Sequence, residues 1–249
     1  MQKTADNTKR DAGRFEDIYA QTFDPKKKYS DEFYQEYIQN FVPNAKKRWG
    51  YRITKRFWDL LVSFLGLVVL SPAMLIIAIW VKCDSKGPVI FKQQRMGKNG
   101  KTFWCYKFRS MKITAPSDCA TSVLMNPEMH LTKAGKILRK LSLDELPQLW
   151  CVFVGTMSVI GYRPLVLTEV KCNEMRRQLG VFEALPGISG YAQVEGRDDV
   201  YYKNKAILDA MYVKNASIWL DIKIFVKTFV VVLKKKGNRD NNCQSETTV

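Results

Sequence analysis

Arg139-Lys-Leu-Ser-Leu-Asp-Glu-Leu-Pro-Gln-Leu-Trp150, followed by an apolar run and then Gly161-Tyr-Arg-Pro-Leu165, is the stretch around which this 249-residue chain is organised. Two adjacent acids, Asp144 and Glu145, stand between Arg139 and Arg163. Ser142 followed three residues later by Glu145 fits a capping box, and Asp144 suits the cap of a helix from about Glu145 to Val154. Pro147 then falls in the first turn, where a missing N–H costs little, and Gly155-Thr156 makes a turn. A chemical reading coexists with the cap. A carboxylate at a helix N-terminus lies in a positive field that also attracts phosphate. Arg139 and Arg163 add charge to hold a phosphate against it, and aspartate is a nucleophile toward phosphorus in several enzymes. The stretch alone leaves both readings open.

The rest of the chain narrows the chemistry. Lys and Arg number 40 against 24 Asp and Glu, a formal net charge of +16. Such an excess calls for an anionic partner: nucleic acid, acidic lipid or a phosphorylated substrate. No nucleic-acid-binding motif accompanies it. The six cysteines (Cys83, Cys105, Cys119, Cys151, Cys172 and Cys243) form no C-x-x-C pair, so reduced, structural thiols in a cytosolic compartment are expected. His130 is the single histidine. That argues against a histidine zinc site and a Ser-His-Asp triad, and leaves carboxylates, Lys, Arg, Tyr or Cys for catalysis.

Residues 1–50 are polar and charged with scattered aromatics, among them Phe33, Tyr34 and Tyr37, and no secretory signal is expected there. Asp31 to Phe41 suits a short amphipathic helix. Phe57 to Val81 carries Asp59 as its one charge and is long enough to cross a hydrocarbon core of about 30 Å. Ser71-Pro72 interrupts it, and proline removes a backbone donor. Both flanks are basic: Arg52, Lys55 and Arg56 before, Lys82, Lys86 and Lys92 after. Cytoplasmic flanks collect Lys and Arg. A helix–break–helix over 51–85 that enters and leaves one leaflet satisfies both observations; a kinked span satisfies the first.

Beyond it the texture becomes soluble. Val89 to Arg95 and Thr102 to Lys107 read as strands of a hairpin turning at Gly97-Lys-Asn-Gly100. Gly100-Lys101-Thr102 imitates the end of a phosphate-binding loop, but Arg95 stands where that loop needs glycine. Lys107 and Arg109 end the hairpin. Residues 112–130 read as a loop, Leu131 to Leu141 as a basic amphipathic helix and Val166 to Leu179 as a helix. Glycines then crowd Pro186-Gly-Ile-Ser-Gly-Tyr-Ala-Gln-Val-Glu-Gly-Arg197, allowing close backbone approach to a ligand or a plain turn. Tyr201 to Tyr212 is a mixed-charge helix. Ser217 to Leu233, closed by Lys234-Lys-Lys236, suits a helix at an anionic membrane surface or a core helix. Residues 237–249 read as a tail.

These blocks in combination resemble the bacterial sugar transferases, the monotopic polyprenyl-phosphate phosphoglycosyl transferases. The residues that carry the resemblance are the basic flank, the run broken at Ser71-Pro72, Lys107-Phe-Arg-Ser-Met, Asp144-Glu-Leu-Pro-Gln, Gly161-Tyr-Arg-Pro-Leu and the Pro186 to Arg197 block. It covers about Thr54 to Leu233 and corresponds to the small, catalytic-core form of the family. Residues 1–50 fall outside it.

The resemblance implies an α+β, mainly helical monotopic protein with a re-entrant membrane helix, a small β-hairpin and amphipathic interfacial helices. Residues 86–236 would form a catalytic domain on the cytoplasmic face of the bacterial inner membrane, among anionic lipids. The implied reaction moves a sugar phosphate from a UDP-sugar to undecaprenyl phosphate. Asp144 would attack the β-phosphorus, UMP would leave, and the lipid phosphate would displace the aspartyl intermediate. Mg²⁺ would be held by Glu145 with Asp144, although Glu145 has the alternative role of tuning Asp144 or acting as a base. Arg139 and Arg163, with Lys107 and Arg109, are the implied phosphate ligands. Gly187, Gly190, Gln193 and Arg197 are implied on the nucleotide side, where Glu195 bears on sugar or base preference.

Overall fold

The computed structural model describes residues 23–41, 49–116, 127–195 and 200–233. Helix α1 (Asp31–Asn40) begins where the Ser30 hydroxyl accepts from the Phe33 N–H at 3.3 Å, with Asp31 and Glu32 in the first turn as the helix dipole favours. Helix α2 (Trp49–Asp84) is 36 residues long. Its most apolar 18 residues have a mean hydropathy of 2.6, and 11% of them are buried by the rest of the protein.

The expected break at Ser71-Pro72 does not form, because α2 continues through it with Pro72 inside the helix. The physical reason is local. Pro72 lacks the N–H that would bond the carbonyl of Val68, four residues back. The Ser71 hydroxyl donates to that same carbonyl at 2.7 Å. The orphaned acceptor is thus satisfied within the helix.

Strands β1 (Ile90–Met96) and β2 (Thr102–Phe108) form the expected antiparallel hairpin, with Phe91 opposite Lys107. Its turn places Asn99 and Gly100 in the left-handed region, at φ 56° and 69°. Within 112–130, residues 117–126 lie outside the described residues, and helix α3 (Pro127–His130) ends the segment. Helix α4 (Lys133–Leu141) is capped by Thr132, whose hydroxyl accepts from the Gly135 N–H at 2.9 Å. It is followed by a single 3₁₀ turn (Leu143–Glu145) and by α5 (Gln148–Val154). Then come β3 (Ser158–Ile160), α6 (Val170–Gln178), β4 (Gly187–Ser189), α7 (Tyr191–Glu195), α8 (Tyr202–Asn215) and α9 (Ile218–Leu233). Strand β4 lies parallel to β3, which joins the Pro186 block to the Gly161-Tyr-Arg-Pro-Leu segment.

Both halves of α2 are held by one body of chain. Arg56 donates to the carbonyls of Val152 and Phe153 in α5, at 2.7 and 2.8 Å. The buried Asp59 accepts from the Ser158 hydroxyl and the Val159 N–H of β3, at 3.0 and 2.9 Å. Lys55 and Tyr51 both reach Asp221 of α9, each at 2.9 Å. At the other end Ile77 and Val81 pack with Phe108 and Leu138, and Asp84 accepts from the Ala134 N–H at 3.0 Å.

The N-terminal residues join the main core. Tyr34, Tyr37 and Phe41 pack with Tyr162, Leu165, Met175, Phe182 and Ile207. The Tyr34 hydroxyl donates to Asn204 at 2.7 Å, and the Asn204 amide donates to the carbonyls of Pro25 and Lys27. Residues 23–41 therefore dock on the body of chain that carries Tyr162, Phe182 and Ile207, while the sequence left the role of the extension over 1–50 open. The tail at 237–249 lies outside the described residues.

Candidate active site

The acid pair sits on the 3₁₀ turn, ahead of the helix expected to carry it. Ser142 makes no side-chain cap to this turn, so the capping box is not formed. Instead Ser142 takes the left-handed conformation, φ 56°, and its N–H closes the end of α4 by donating to the carbonyls of Leu138 and Arg139. A non-glycine residue in that region costs roughly 1–2 kcal/mol. It turns the chain sharply, so that α4 and the acid pair face one another.

Asp144 and Glu145 meet different surroundings. Glu145 Oε1 accepts from Lys107 Nζ of β2 at 2.6 Å and from an Arg163 guanidinium nitrogen at 3.0 Å. Burial pushes the Glu145 carboxyl up, but Arg163 and Lys107 outweigh it and hold the group well below the usual carboxylate range. Asp144 is 7% exposed. Among the described residues nothing donates a hydrogen bond to its carboxylate. Burial raises its pKa, Lys107 opposes that rise, Glu145 adds to it, and Arg139 and Arg163 oppose it. Arg139 is placed by α4 and donates from Nε to the Ser110 hydroxyl at 3.0 Å.

The structure thus brings together Asp144, Glu145, Lys107, Arg139 and Arg163. It gives Arg109 other work. This side chain is buried, and its guanidinium donates to the carbonyls of Val81, Ser85 and Lys86, at 3.2, 2.7 and 2.8 Å. It closes the C-terminal end of α2 instead of joining the cation cluster.

The glycines of the Pro186 block are packing glycines. A Cβ on Gly187 would lie 2.1 Å from the Gly161 nitrogen, and one on Gly190 would lie 1.9 Å from the Gly161 oxygen. Those contacts let β4 close against the strand that leads into Arg163. Gln193 donates to the Ile188 carbonyl at 3.1 Å. Arg197 lies outside the described residues. Ser71 and Pro72 act on α2 and are remote from the acid pair in the chain.

For a divalent cation the chain supplies two carboxylates at this place. Among the described residues no cluster of three or more His, Cys, Asp or Glu is gathered. One or two carboxylates, completed by substrate phosphates and water, is the donor set that Mg²⁺ takes in phosphate-transfer sites. The residues present fit that ion, which Glu145 would hold through the oxygen not shared by Lys107 and Arg163.

The sequence reading did not foresee Arg95, Arg176 or Asp209 around the site. Arg95 donates to the Pro164 carbonyl at 3.0 Å. Arg176 donates to the Arg163 carbonyl at 2.9 Å and pairs with Asp209.

Comparison with known proteins completes the picture. The family model for "Bacterial sugar transferase" matches residues 50–235. The chain is 39% identical over 217 residues to the undecaprenyl-phosphate galactose phosphotransferase of Salmonella typhimurium, covering 80% of this chain and 44% of that protein. It is 42% identical over 186 residues to the UDP-glucose:undecaprenyl-phosphate glucose-1-phosphate transferase of Klebsiella pneumoniae, covering 71% and 39%. The exopolysaccharide production protein ExoY of Sinorhizobium fredii is 34% identical over 200 residues, covering 75% and 88%. The chain therefore spans less than half the length of the first two relatives and most of the third. With a match across three quarters of its length, this chain belongs to the bacterial sugar transferase family.

Proposed function

We propose that the protein transfers a sugar phosphate from a UDP-sugar to undecaprenyl phosphate at the cytoplasmic face of the bacterial inner membrane. This would begin a surface polysaccharide such as a capsule, O-antigen or exopolysaccharide. The observation that carries the reading is the contrast within the acid pair. Asp144 is buried with no hydrogen-bond donor among the described residues, while its neighbour Glu145 accepts from the two cations that would otherwise quench it. A carboxylate stripped of hydrogen bonds keeps its lone pairs available for attack. Glu145, held so far toward its charged form, is a weak base, which favours a tuning or ligand role over proton transfer.

An Asp144 oxygen attacks the β-phosphorus, and the bond from that phosphorus to the bridging oxygen breaks. UMP departs with that oxygen and its electron pair, leaving a sugar phosphate on Asp144. An oxygen of the lipid phosphate then attacks the same phosphorus, and Asp144 leaves as a carboxylate. No proton need move in either step. Arg139, Arg163 and Lys107 hold phosphate oxygens through charge-assisted bonds and offset the charge of the two acids. Mg²⁺ held by Glu145 and Asp144 supplies charge neutralisation on the diphosphate when bound.

The surface supports a membrane setting. Helix α2 exposes Phe57, Trp58, Phe64, Val69, Leu75 and Ile76; α9 exposes Trp219, Val226 and Phe229; α5 exposes Trp150 and Val154. Apolar surface of this extent supports a membrane contact. The two ends of α2 pack on one body of chain, which supports placing both ends on the same side of the membrane. UMP release from a panel of UDP-sugars with undecaprenyl phosphate and Mg²⁺ tests the function. Release by wild type and loss in Asp144→Asn is expected. Equal release by both proteins would remove Asp144 from the chemistry.

A further inference from the structure

Arg176 of α6 is 1% exposed, among the largest side chains to be so fully buried. It makes three contacts at once. It pairs with Asp209 of α8, which is equally buried. It donates to the main-chain carbonyl of Arg163 at 2.9 Å. Its guanidinium carbon lies 5.5 Å from the centre of the Tyr162 ring.

A buried ion pair is a poor source of stability. The cost of removing both charges from water offsets their attraction, and an apolar pair of similar volume often does as well. Arg176 Nε and Asp209 Oδ1 are also buried without a hydrogen-bond partner among the described residues, which adds to the cost. An apolar pair cannot donate to a main-chain carbonyl. That bond falls on Arg163, whose side chain reaches Glu145. Arg95 grips the next carbonyl, that of Pro164, at 3.0 Å. The main chain is thus held from two sides, while the Arg163 side chain stays 40% exposed.

We propose that Arg176, anchored by Asp209, is a positioning residue: it fixes the main chain at Tyr162-Arg163 so that the Arg163 guanidinium meets both Glu145 and the donor phosphate beside Asp144. This rests on the transferase reading above.

A double-mutant cycle tests it, because coupling appears only between residues that act through one another. Arg176→Lys keeps the charge and the pairing to Asp209 but cannot reproduce the forked grip. It is made in wild type and in Arg163→Ala, with kcat/KM for the UDP-sugar and the melting temperature read for each protein. The expected result is a loss of about tenfold in wild type and of less than about twofold in Arg163→Ala. Equal fold-losses in both backgrounds would overturn the proposal, since a general loss of packing acts whatever residue 163 is. Should Arg176→Lys not fold, Asp209→Asn in the same two backgrounds decides by the same criterion. A wild-type protein without turnover would overturn the transferase reading itself, which equal losses in an active enzyme would not.

Discussion

Asp144 carries a charge that the fold disfavours. Its folded pKa lies above the ordinary aspartate value because of burial. For a group shifted this way the stabilising form is the neutral one, and that contribution is lost as pH rises through the folded pKa. The ionised form of Asp144 is therefore the one that destabilises the fold. Asp144→Asn should remove UMP release and leave the melting temperature unchanged or higher, as thermal unfolding would show. The acid limb of the pH–rate profile should fall above the ordinary aspartate value of 3.8. Glu145 has the opposite sign. Its depressed pKa contributes stability present above the ordinary glutamate value of 4.5 and lost as pH falls toward the folded pKa. Glu145→Gln leaves Lys107 and Arg163 without their counter-ion. It should cost about 2–3 kcal/mol at pH 7, somewhat less than a fully buried pair because the site keeps some solvent. That difference should shrink below pH 4.5 in denaturant titrations. At this scale the acid pair and its flanking arginines were legible in the sequence. The Lys107 contact was not, since 38 residues separate it from Glu145 and no local period links them. The contacts of Arg109 with the end of α2 were not legible for the related reason that a cation at a strand end looks the same in sequence whether it faces a ligand or a helix terminus.

The elements show how local chemistry outruns pattern. A proline in an apolar run reads as a break, yet Ser71 supplies the donor that Pro72 lacks, and α2 stays continuous. Ser71→Ala should leave the Val68 carbonyl unpaired in apolar surroundings, at a cost of about 1–3 kcal/mol. Topology is tested by single cysteines at Gly50→Cys, where a Cβ meets nothing within 4 Å, and at Lys86→Cys, in a background with the native cysteines replaced. Both should react with an impermeant reagent from the cytoplasmic side; labelling from opposite sides would mean a span. The hairpin and helices α1, α4, α8 and α9 were readable from periodicity and turn residues. The glycines at 187 and 190 left a ligand or a plain turn open in the sequence, and what approaches them is the backbone at Gly161, which lies far off in sequence.

Across the whole molecule, the family match begins at residue 50, yet residues 23–41 complete the core around Tyr162 and Phe182. The aromatics there were visible in the sequence, but their docking surface is assembled from α6, α8 and Phe182, which no local reading unites. Deleting residues 1–41 should bare that surface, lower the melting temperature by at least several degrees and reduce activity through the segment that carries Arg163. Tyr34→Phe, which removes the bond to Asn204 and the one the hydroxyl accepts from the Tyr29 N–H, should cost about 1–2 kcal/mol. The central claim concerns a covalent bond, and trapping it is the most direct measurement. The protein is incubated with a UDP-sugar labelled in the sugar and with Mg²⁺ but no lipid acceptor, then quenched and mapped by peptide mass. The account predicts one sugar phosphate on Asp144, with UMP released in equal amount. UMP release only when lipid is present, with no adduct on any peptide, would contradict it and point to direct transfer between the two substrates.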